Sequence, residues 1–186
     1  ITKHLRDEGN EVITISRRNL SNNKYHYQCD ISNYSKLKET YHQISKKKYK
    51  VNALINCAGI ASMNLAITTP PQITENLVKT NLIGTIFTNQ IFAPLLIKSG
   101  GGRIINFSTI AVSLAIKGES VYIATKAGVE AFSRTFANEL SSFGITVNCI
   151  APGPIRTDLL SGISDKQIKS IVQKQIIKKE MKAYDV

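Results

Sequence analysis

A chain of 186 residues is the size of one domain, or most of one. With 42% hydrophobic and 20% charged residues it can bury a core, which excludes a disordered chain. Lys and Arg number 24 against 13 Asp and Glu, a formal net charge of +11. That excess suits nucleic acid or, more plainly, a Lys- and Ile-rich coding bias. The bias is favoured, because 18 of the cations are Lys and no single face gathers them, so no nucleic-acid partner is expected. Cys29, Cys57 and Cys149 are widely spaced, form no Cys-x-x-Cys pair and are not joined by His4, His26 or His42. Neither a metal site nor a disulfide framework is indicated. The longest apolar stretch, 82–97, is interrupted by Asn89 and Gln90, and no basic-then-apolar leader opens the sequence. The expectation is a cytoplasmic protein with no membrane partner.

In chain order, residues 2–8 read as a helix stopped by Gly9. Strands follow over 12–16 and 25–29. Ser32 or Asn33 can cap a helix running to about Lys48. A strand over 51–57 leads to a long helix over about 71–97, which Pro94 is expected to kink or end. Ser99-Gly100-Gly101-Gly102 precedes a strand instead of following one, so it reads as a helix stop and turn, not a phosphate cradle. A strand over 103–108, a helix from Ser120 to about Ser142 closed by Gly144, and a strand over 146–151 complete the alternation. Beyond Ser164 a Lys-rich amphipathic helix carries Ile168, Ile171, Val172 and Ile176 on one stripe. The strands are apolar on successive residues, as strands buried on both faces are. Such alternation predicts a doubly wound parallel sheet with helices on both faces, a Rossmann-like α/β fold in a single domain over 1–186.

Tyr122 and Lys126 are four apart on a predicted helix and so share one face. A tyrosine titrates near 10, and bringing it towards 7 requires about 4 kcal/mol. A close positive charge at an effective dielectric near 20 supplies about that much, so Lys126 could make Tyr122 a proton donor and acceptor near neutral pH. Spacing alone is weak: with seven Tyr and 18 Lys such pairs arise by chance, and Tyr34/Lys38 is a second one. Ser21 even precedes Tyr34 by the same interval as Thr109 precedes Tyr122. Context separates them. Thr109 follows directly on a strand, where open parallel sheets bind ligands, whereas Ser21 sits in the turn Leu20-Ser21-Asn22-Asn23. Tyr34/Lys38 therefore reads as a solvated helix face.

The run Gly102-Arg103-Ile104-Ile105-Asn106-Phe107-Ser108-Thr109, followed by Tyr122-Ile123-Ala124-Thr125-Lys126-Ala127-Gly128, resembles the short-chain dehydrogenase/reductases. Asn56-Cys57-Ala58-Gly59 at a strand end, Asn81 in Lys79-Thr80-Asn81-Leu82-Ile83-Gly84, and Asn148-Cys149-Ile150-Ala151-Pro152-Gly153-Pro154-Ile155-Arg156-Thr157 match further motifs of that family, in its order, over about residues 1–160. The closest look is to the 3-oxoacyl-acyl-carrier-protein reductase type.

The resemblance implies roles. Tyr122 would be the general acid/base and one of the cofactor contacts, Lys126 would lower its pKa and hold the nicotinamide ribose, and Asn81 would anchor a water linking Lys126 to solvent. The family's serine position falls on Thr109, a departure in residue type that still supplies a hydroxyl, with Ser108 as the neighbouring candidate. Asp30 and Ile31 would contact adenine. Asn56, Ala58 and Gly59 would line the cofactor, and Pro152, Gly153, Ile155 and Thr157 would flank the nicotinamide. Ser16-Arg17-Arg18 ends a strand where NAD enzymes usually place an acid, so NADP is expected over NAD. The implied activity is hydride transfer between NADP(H) and a small-molecule or carrier-bound carbonyl or alcohol, with a 3-oxoacyl thioester among the candidates. Assembly as a homotetramer or homodimer is implied for the complete family member. The rival is a catalytically silent Rossmann-like binding or scaffold protein.

Two pieces of the family pattern are missing from the sequence: the first strand with its glycine-rich turn, and the last strand. In the 3-2-1-4-5-6 order the first strand is central, so a gap in the sheet is expected. A fragment of a longer reading frame, forming an incomplete domain, is the expectation. The 186-residue chain by itself is then expected to bind NADPH poorly, for want of the helix N-terminus that holds a pyrophosphate. Sub-micromolar affinity by titration calorimetry would contradict this.

Overall fold

A computed structural model describes residues 1–20 and 23–186; Ser21, and with it part of the turn weighed above, lies outside them. Among the described residues, strands β1 (Thr14–Ser16), β2 (His26–Gln28), β3 (Ala53–Asn56), β4 (Gly102–Phe107) and β5 (Ile145–Ile150) alternate with helices. The helices are α1 (Thr2–Asp7), α2 (Tyr34–Ser45), α3 (Pro71–Leu77), α4 (Gly84–Lys98), α5 (Ala111–Leu114), α6 (Ser120–Leu140) and α7 (Asp165–Lys174). All strand pairs are parallel, in two ladders, β1-β2 and β3-β4-β5. Register puts Asn56 beside Asn106 and Asn106 beside Cys149.

No ladder joins β1 to β3 among the described residues, and the split falls where the expected order puts a central strand. The strands flanking it are not buried on both faces, contrary to the expectation from their composition. Thr14, Ile15 and Ser16 are half-buried and Ala53 is exposed. In β4 and β5 burial alternates instead: Ile104, Asn106, Ile145 and Val147 are buried while Arg103, Thr146 and Asn148 are exposed. The buried face lies under α4 and α6, where Ala93, Leu96, Phe136 and Leu140 pack on Ile104, Ile145 and Val147. Leu96 and Ile104 are fully enclosed, each contributing about 2–3 kcal/mol of apolar burial. A second cluster joins the ladders: Leu37 and Ile44 of α2 meet Ile91, Phe92 and Leu95 of α4, with Ile13, Ile15 and Tyr27 from the first ladder and Leu54 from the second.

Helix ends follow the residue chemistry. The Asn33 side chain accepts from the Lys36 amide at 3.0 Å and caps α2. Ser164 and Gln167 form a reciprocal capping box at α7. α7 buries Ile168, Ile171 and Val172 but ends at Lys174, so Ile176 leaves the predicted stripe and is fully exposed. Gly100, Gly101 and Gly144 take positive φ at the turns that precede β4 and β5. Pro94 does not end α4, which continues to Lys98. The carbonyl that loses its donor to the proline belongs to Gln90, an exposed residue, so water can satisfy it. The expected long helix is interrupted elsewhere, by a π-helical turn over Val78–Ile83. The stretch Pro71–Lys98 is apolar and long enough to cross a membrane by length and composition, yet 56% of its most apolar window is buried in the domain, as in the core helix of a folded protein.

Candidate active site

The carboxyl ends of β3 and β4, the π-helical turn and the first turns of α6 converge. Asn81, fully buried in the π turn, clamps the loop after β3: its Oδ1 accepts from the Ile60 amide at 2.8 Å, and its Nδ2 donates to the Ile60 carbonyl at 2.9 Å. Nδ2 also reaches the Thr125 hydroxyl of α6 at 3.3 Å. The amide thus fixes the Asn56-Cys57-Ala58-Gly59 loop against α6. The single wider turn of a π helix is a common way to aim such a side chain inward. A Cβ on Gly59 would stand 3.3 Å from Asn81 Oδ1 and 3.6 Å from Lys126 Nζ, so these three residues meet at one point.

Tyr122 and Lys126 share the buried face of α6, at 9% and 6% exposure. Lys126 Nζ donates to the Phe107 carbonyl at 2.8 Å and lies 6.0 Å from the centre of the Tyr122 ring. Burial lowers the Lys126 pKa, while the nearby Cys149 and Cys57 thiols oppose the shift. Tyr122 is pushed up to about 12 by burial and by the Glu119 carboxylate, against an opposing pull from the Thr109 hydroxyl. The sequence expectation that Lys126 brings Tyr122 towards neutrality is therefore not what the geometry gives. The ammonium is held at a backbone carbonyl, and the loss of solvent around the phenol outweighs it.

The two hydroxyls after β4 diverge. Ser108 donates to Glu130 on α6, and its amide donates to Ile150 on β5 at 2.8 Å. Thr109 accepts from the Ala111 amide at 3.2 Å and is the one beside Tyr122, though no hydrogen bond of ordinary geometry joins them. The rival pair stays apart: Tyr34 is 45% exposed and meets Phe87 edge-on, and Lys38 is exposed.

Behind the site runs a buried polar network. Asn56 Nδ2 and Asn89 Nδ2 both donate to Asn106 Oδ1, at 2.8 and 3.1 Å, and Asn106 Nδ2 donates to Ser133 Oγ at 2.8 Å. Asn56 is thus tied inward to β4 and α6. Asn89, Ser133, Glu119 and Glu130 were not singled out from the sequence. Only Glu119 carried a local signal, its place just before the predicted helix, where it is the N-cap of α6.

The remaining expected positions fall in two groups. Ser16 ends β1, and the carbonyls of Arg17 and Arg18 accept from Gln28 Nε2 at 3.0 Å and His26 Nε2 at 2.8 Å, which fixes the loop and leaves its guanidiniums outward. Arg18 pairs with Asp158 at 3.1 Å, an exposed contact of small energetic weight. Asp30 accepts from the Ser32 amide and hydroxyl at 2.9 and 2.8 Å. Burial would raise its pKa, but these bonds and Arg17 hold it below the usual carboxylate value. Ile31 packs into the space a side chain on Gly84 would fill.

At the other end, the Pro152 carbonyl accepts from the Ile110 amide at 3.1 Å, tying this turn to the start of α5, a short helix the sequence did not announce. The Gly153 amide donates to Met181 Sδ at 3.1 Å, and Ile155 forms a parallel bridge with Met181. Thr157 Oγ1 donates to the Ile155 carbonyl at 3.4 Å. Arg156 holds the following segments together, bonding Asp165 at 2.7 Å and Glu180 at 2.9 Å.

Comparison with known proteins agrees with this arrangement. A family model described as short chain dehydrogenase matches residues 2–168. Carbonyl reductase family member 4 of Xenopus tropicalis is 33% identical over 144 residues, which are 77% of this chain and 61% of that protein. A 3-oxoacyl-[acyl-carrier-protein] reductase of Bos taurus is 33% identical over 141 residues, 76% of this chain and 60% of that one. The chain therefore spans about three fifths of the length of these curated relatives. Among solved structures, the aldohexose dehydrogenase of Thermoplasma acidophilum superposes with a TM-score of 0.83 at 23% identity, over 97% of this chain and 75% of that one. At that identity the likeness speaks to the fold, which is the Rossmann-like α/β fold. With the matched motifs converging at the strand ends, the chain belongs to the short-chain dehydrogenase family.

Proposed function

We propose that the intact protein is an oxidoreductase that transfers hydride between NADP(H) and a carbonyl or alcohol substrate, with Tyr122 as the acid/base. The observation that carries this reading is the meeting of Tyr122, Lys126, Asn81, Gly59 and Thr109 at the carboxyl ends of β3 and β4. Two relatives are named as reductases of a carbonyl or a 3-oxoacyl-[acyl-carrier-protein], which favours a ketone or a 3-oxoacyl thioester as the substrate class.

The residues present fit a dinucleotide. Gly59 offers backbone with no side chain in the way, Lys126 keeps ammonium protons beyond the one given to Phe107, and Arg17, with Arg18 once it releases Asp158, would supply guanidiniums to a 2′-phosphate. No carboxylate ends β1 to favour a free ribose hydroxyl, which supports NADP over NAD. Asp30, Ile31, Ala58 and the backbone of Asn56, whose side chain is taken by Asn106, would line the cofactor, and Pro152, Gly153, Ile155 and Thr157 its nicotinamide end. The reduced nicotinamide supplies the hydride when bound. Tyr122 gives its phenolic proton to the substrate oxygen, and Thr109 donates a hydrogen bond to the same oxygen. Lys126 would orient the ribose.

The experiment is steady-state NADPH oxidation by the intact protein with 3-oxoacyl thioesters and small ketones, across pH. With Tyr122 titrating at about 12, the proton-donating form dominates at neutral pH, so reduction should be flat from pH 6 to 9. Alcohol oxidation needs the phenolate and should climb about tenfold per pH unit over the same range. Oxidation that falls as pH rises would contradict the assignment of Tyr122.

A further inference from the structure

Among the described residues two buried side-chain polar atoms lack a partner, Asn89 Oδ1 and Gln175 Nε2. The first belongs to the network behind the site. The second stands apart from that network, and nothing in the packing accounts for it. Buried side-chain nitrogens are bonded in the great majority of cases, and an orphan calls for a reason such as a role in binding. Gln175 follows α7 as its C-cap, where its backbone amide donates to the Val172 carbonyl at 3.1 Å. The backbone is thus settled while the side-chain nitrogen is not.

The side chain turns onto Gly153. A Cβ built on that glycine would stand 3.2 Å from Gln175 Oε1 and 3.3 Å from Gln175 Nε2, so both polar atoms of the amide flank the same bare α-carbon. Gly153 has no positive φ, so what its missing side chain provides is room. Met181 closes in beside it: its Sδ would lie 3.2 Å from the same Cβ and accepts from the Gly153 amide at 3.1 Å. Arg156 pairs with Asp165 at the start of α7 and with Glu180 next to Met181, so Gln175 rides on a segment pinned at both ends. One residue before Gly153, the Pro152 carbonyl accepts from the amide of Ile110, the neighbour of Thr109. The orphaned amide therefore adjoins the turn that is tied to the end of β4.

We propose that Gln175 is a further cofactor-binding residue, whose side-chain amide beside Gly153 pairs with the carboxamide of a nicotinamide seated there. This rests on the dinucleotide reading given above and deepens it. A primary amide complements a primary amide. Gln175 Nε2 donates to the carboxamide oxygen and Gln175 Oε1 accepts from the carboxamide N–H, two parallel bonds that hold the ring against rotation. In the empty protein the unpaired donor is a cost, and a ligand that satisfies it removes that cost. Loss of the amide should therefore weaken binding without weakening the fold.

The test is Gln175→Met, which keeps the length of the side chain and removes its amide. In the chain without cofactor the urea midpoint should hold or rise, because a buried orphan disappears. In the intact protein, titration calorimetry should show NADPH bound about tenfold more weakly. The 3-acetylpyridine analogue of NADPH keeps the carbonyl and lacks the N–H, so it should lose less, and the preference between the two dinucleotides should narrow. Gln175→Leu removes the same amide in a shorter side chain and must show the same pattern. An amide with a purely structural role would lower the midpoint and weaken both dinucleotides alike. A lower midpoint, or equal effects on the two dinucleotides, overturns the proposal. An intact protein that binds no NADPH sinks the dinucleotide reading and this contact with it. NADPH binding that is indifferent to Gln175 sinks this contact alone.

Discussion

Tyr122→Phe in the intact protein should lower kcat/KM for NADPH-dependent carbonyl reduction by about 10²- to 10⁴-fold, some 3–5 kcal/mol on the barrier. The substitution removes one oxygen and keeps the ring, which is 91% buried against the rest of the site, so the fold has no reason to change. Among the described residues, the other hydroxyls and the ammonium at the site are poorly suited to the same proton. The Ser108 hydroxyl is committed to Glu130, Lys126 is committed to the Phe107 carbonyl, and Thr109 has an alcohol's pKa. Binding of NADPH should fall far less than the rate, because Tyr122 is only one of the residues proposed to hold it and Lys126 and Gly59 remain in place. Rate and affinity separate in this variant, and titration calorimetry beside initial rates reads both. A Phe variant with undiminished turnover would take Tyr122 out of the reaction.

The second large effect concerns stability. Asn106→Leu should destabilise the chain by about 3 kcal/mol, measured by urea unfolding. Asn106 is fully buried at the centre of the network that joins β3, β4, α4 and α6. A leucine there leaves Asn56 Nδ2 with no partner and takes one of two bonds from Asn89 Nδ2, which keeps the Thr85 carbonyl at 2.8 Å. Asn89 Oδ1 is already buried without a partner, so this region has little margin for another orphaned group. Each unsatisfied buried donor costs about 1–3 kcal/mol. Ser133→Ala makes the comparison: it takes from Asn106 Nδ2 its one side-chain partner and removes the bond to Val129 at 2.7 Å, but leaves the Asn56 and Asn89 bonds in place, so its loss should cost about 1–2 kcal/mol, less than Asn106→Leu. Equal losses in the two variants would mean that Asn106 is not the hub.

Most strands were legible because runs such as Ile104-Ile105 and Leu54-Ile55 carry β propensity on successive positions, and the helix ends were legible where Asn33, Ser164 and Gly144 supply caps. Composition misled about burial. Successive apolar residues in β1 and β3 suggest two covered faces, but coverage depends on what packs against them, which a single strand does not encode. The π turn was illegible for the same reason: it is stabilised by the Asn81 amide reaching Ile60 and the Thr85 hydroxyl reaching the Asn81 carbonyl at 2.7 Å, contacts between residues whose sequence shows only a helix. At the site, spacing put Tyr122 and Lys126 on one face, and they share it. The electrostatics did not follow from spacing. They depend on the Phe107 carbonyl that holds the ammonium and on the buried Glu119, neither of which the Tyr–Lys interval contains. The choice between Ser108 and Thr109 likewise turns on Glu130, on another element 21 residues beyond Thr109.

Deuterium tracing tests the central claim most directly. NADPH carrying deuterium on the transferable position of its nicotinamide is incubated with the intact protein and a 3-oxoacyl thioester or ketone, and the product is read by mass spectrometry and NMR. The account predicts one deuterium on the carbinol carbon of the alcohol and loss of that product with Tyr122→Phe. Product that carries no deuterium at that carbon, or label incorporated at the same rate in the phenylalanine variant, would contradict it.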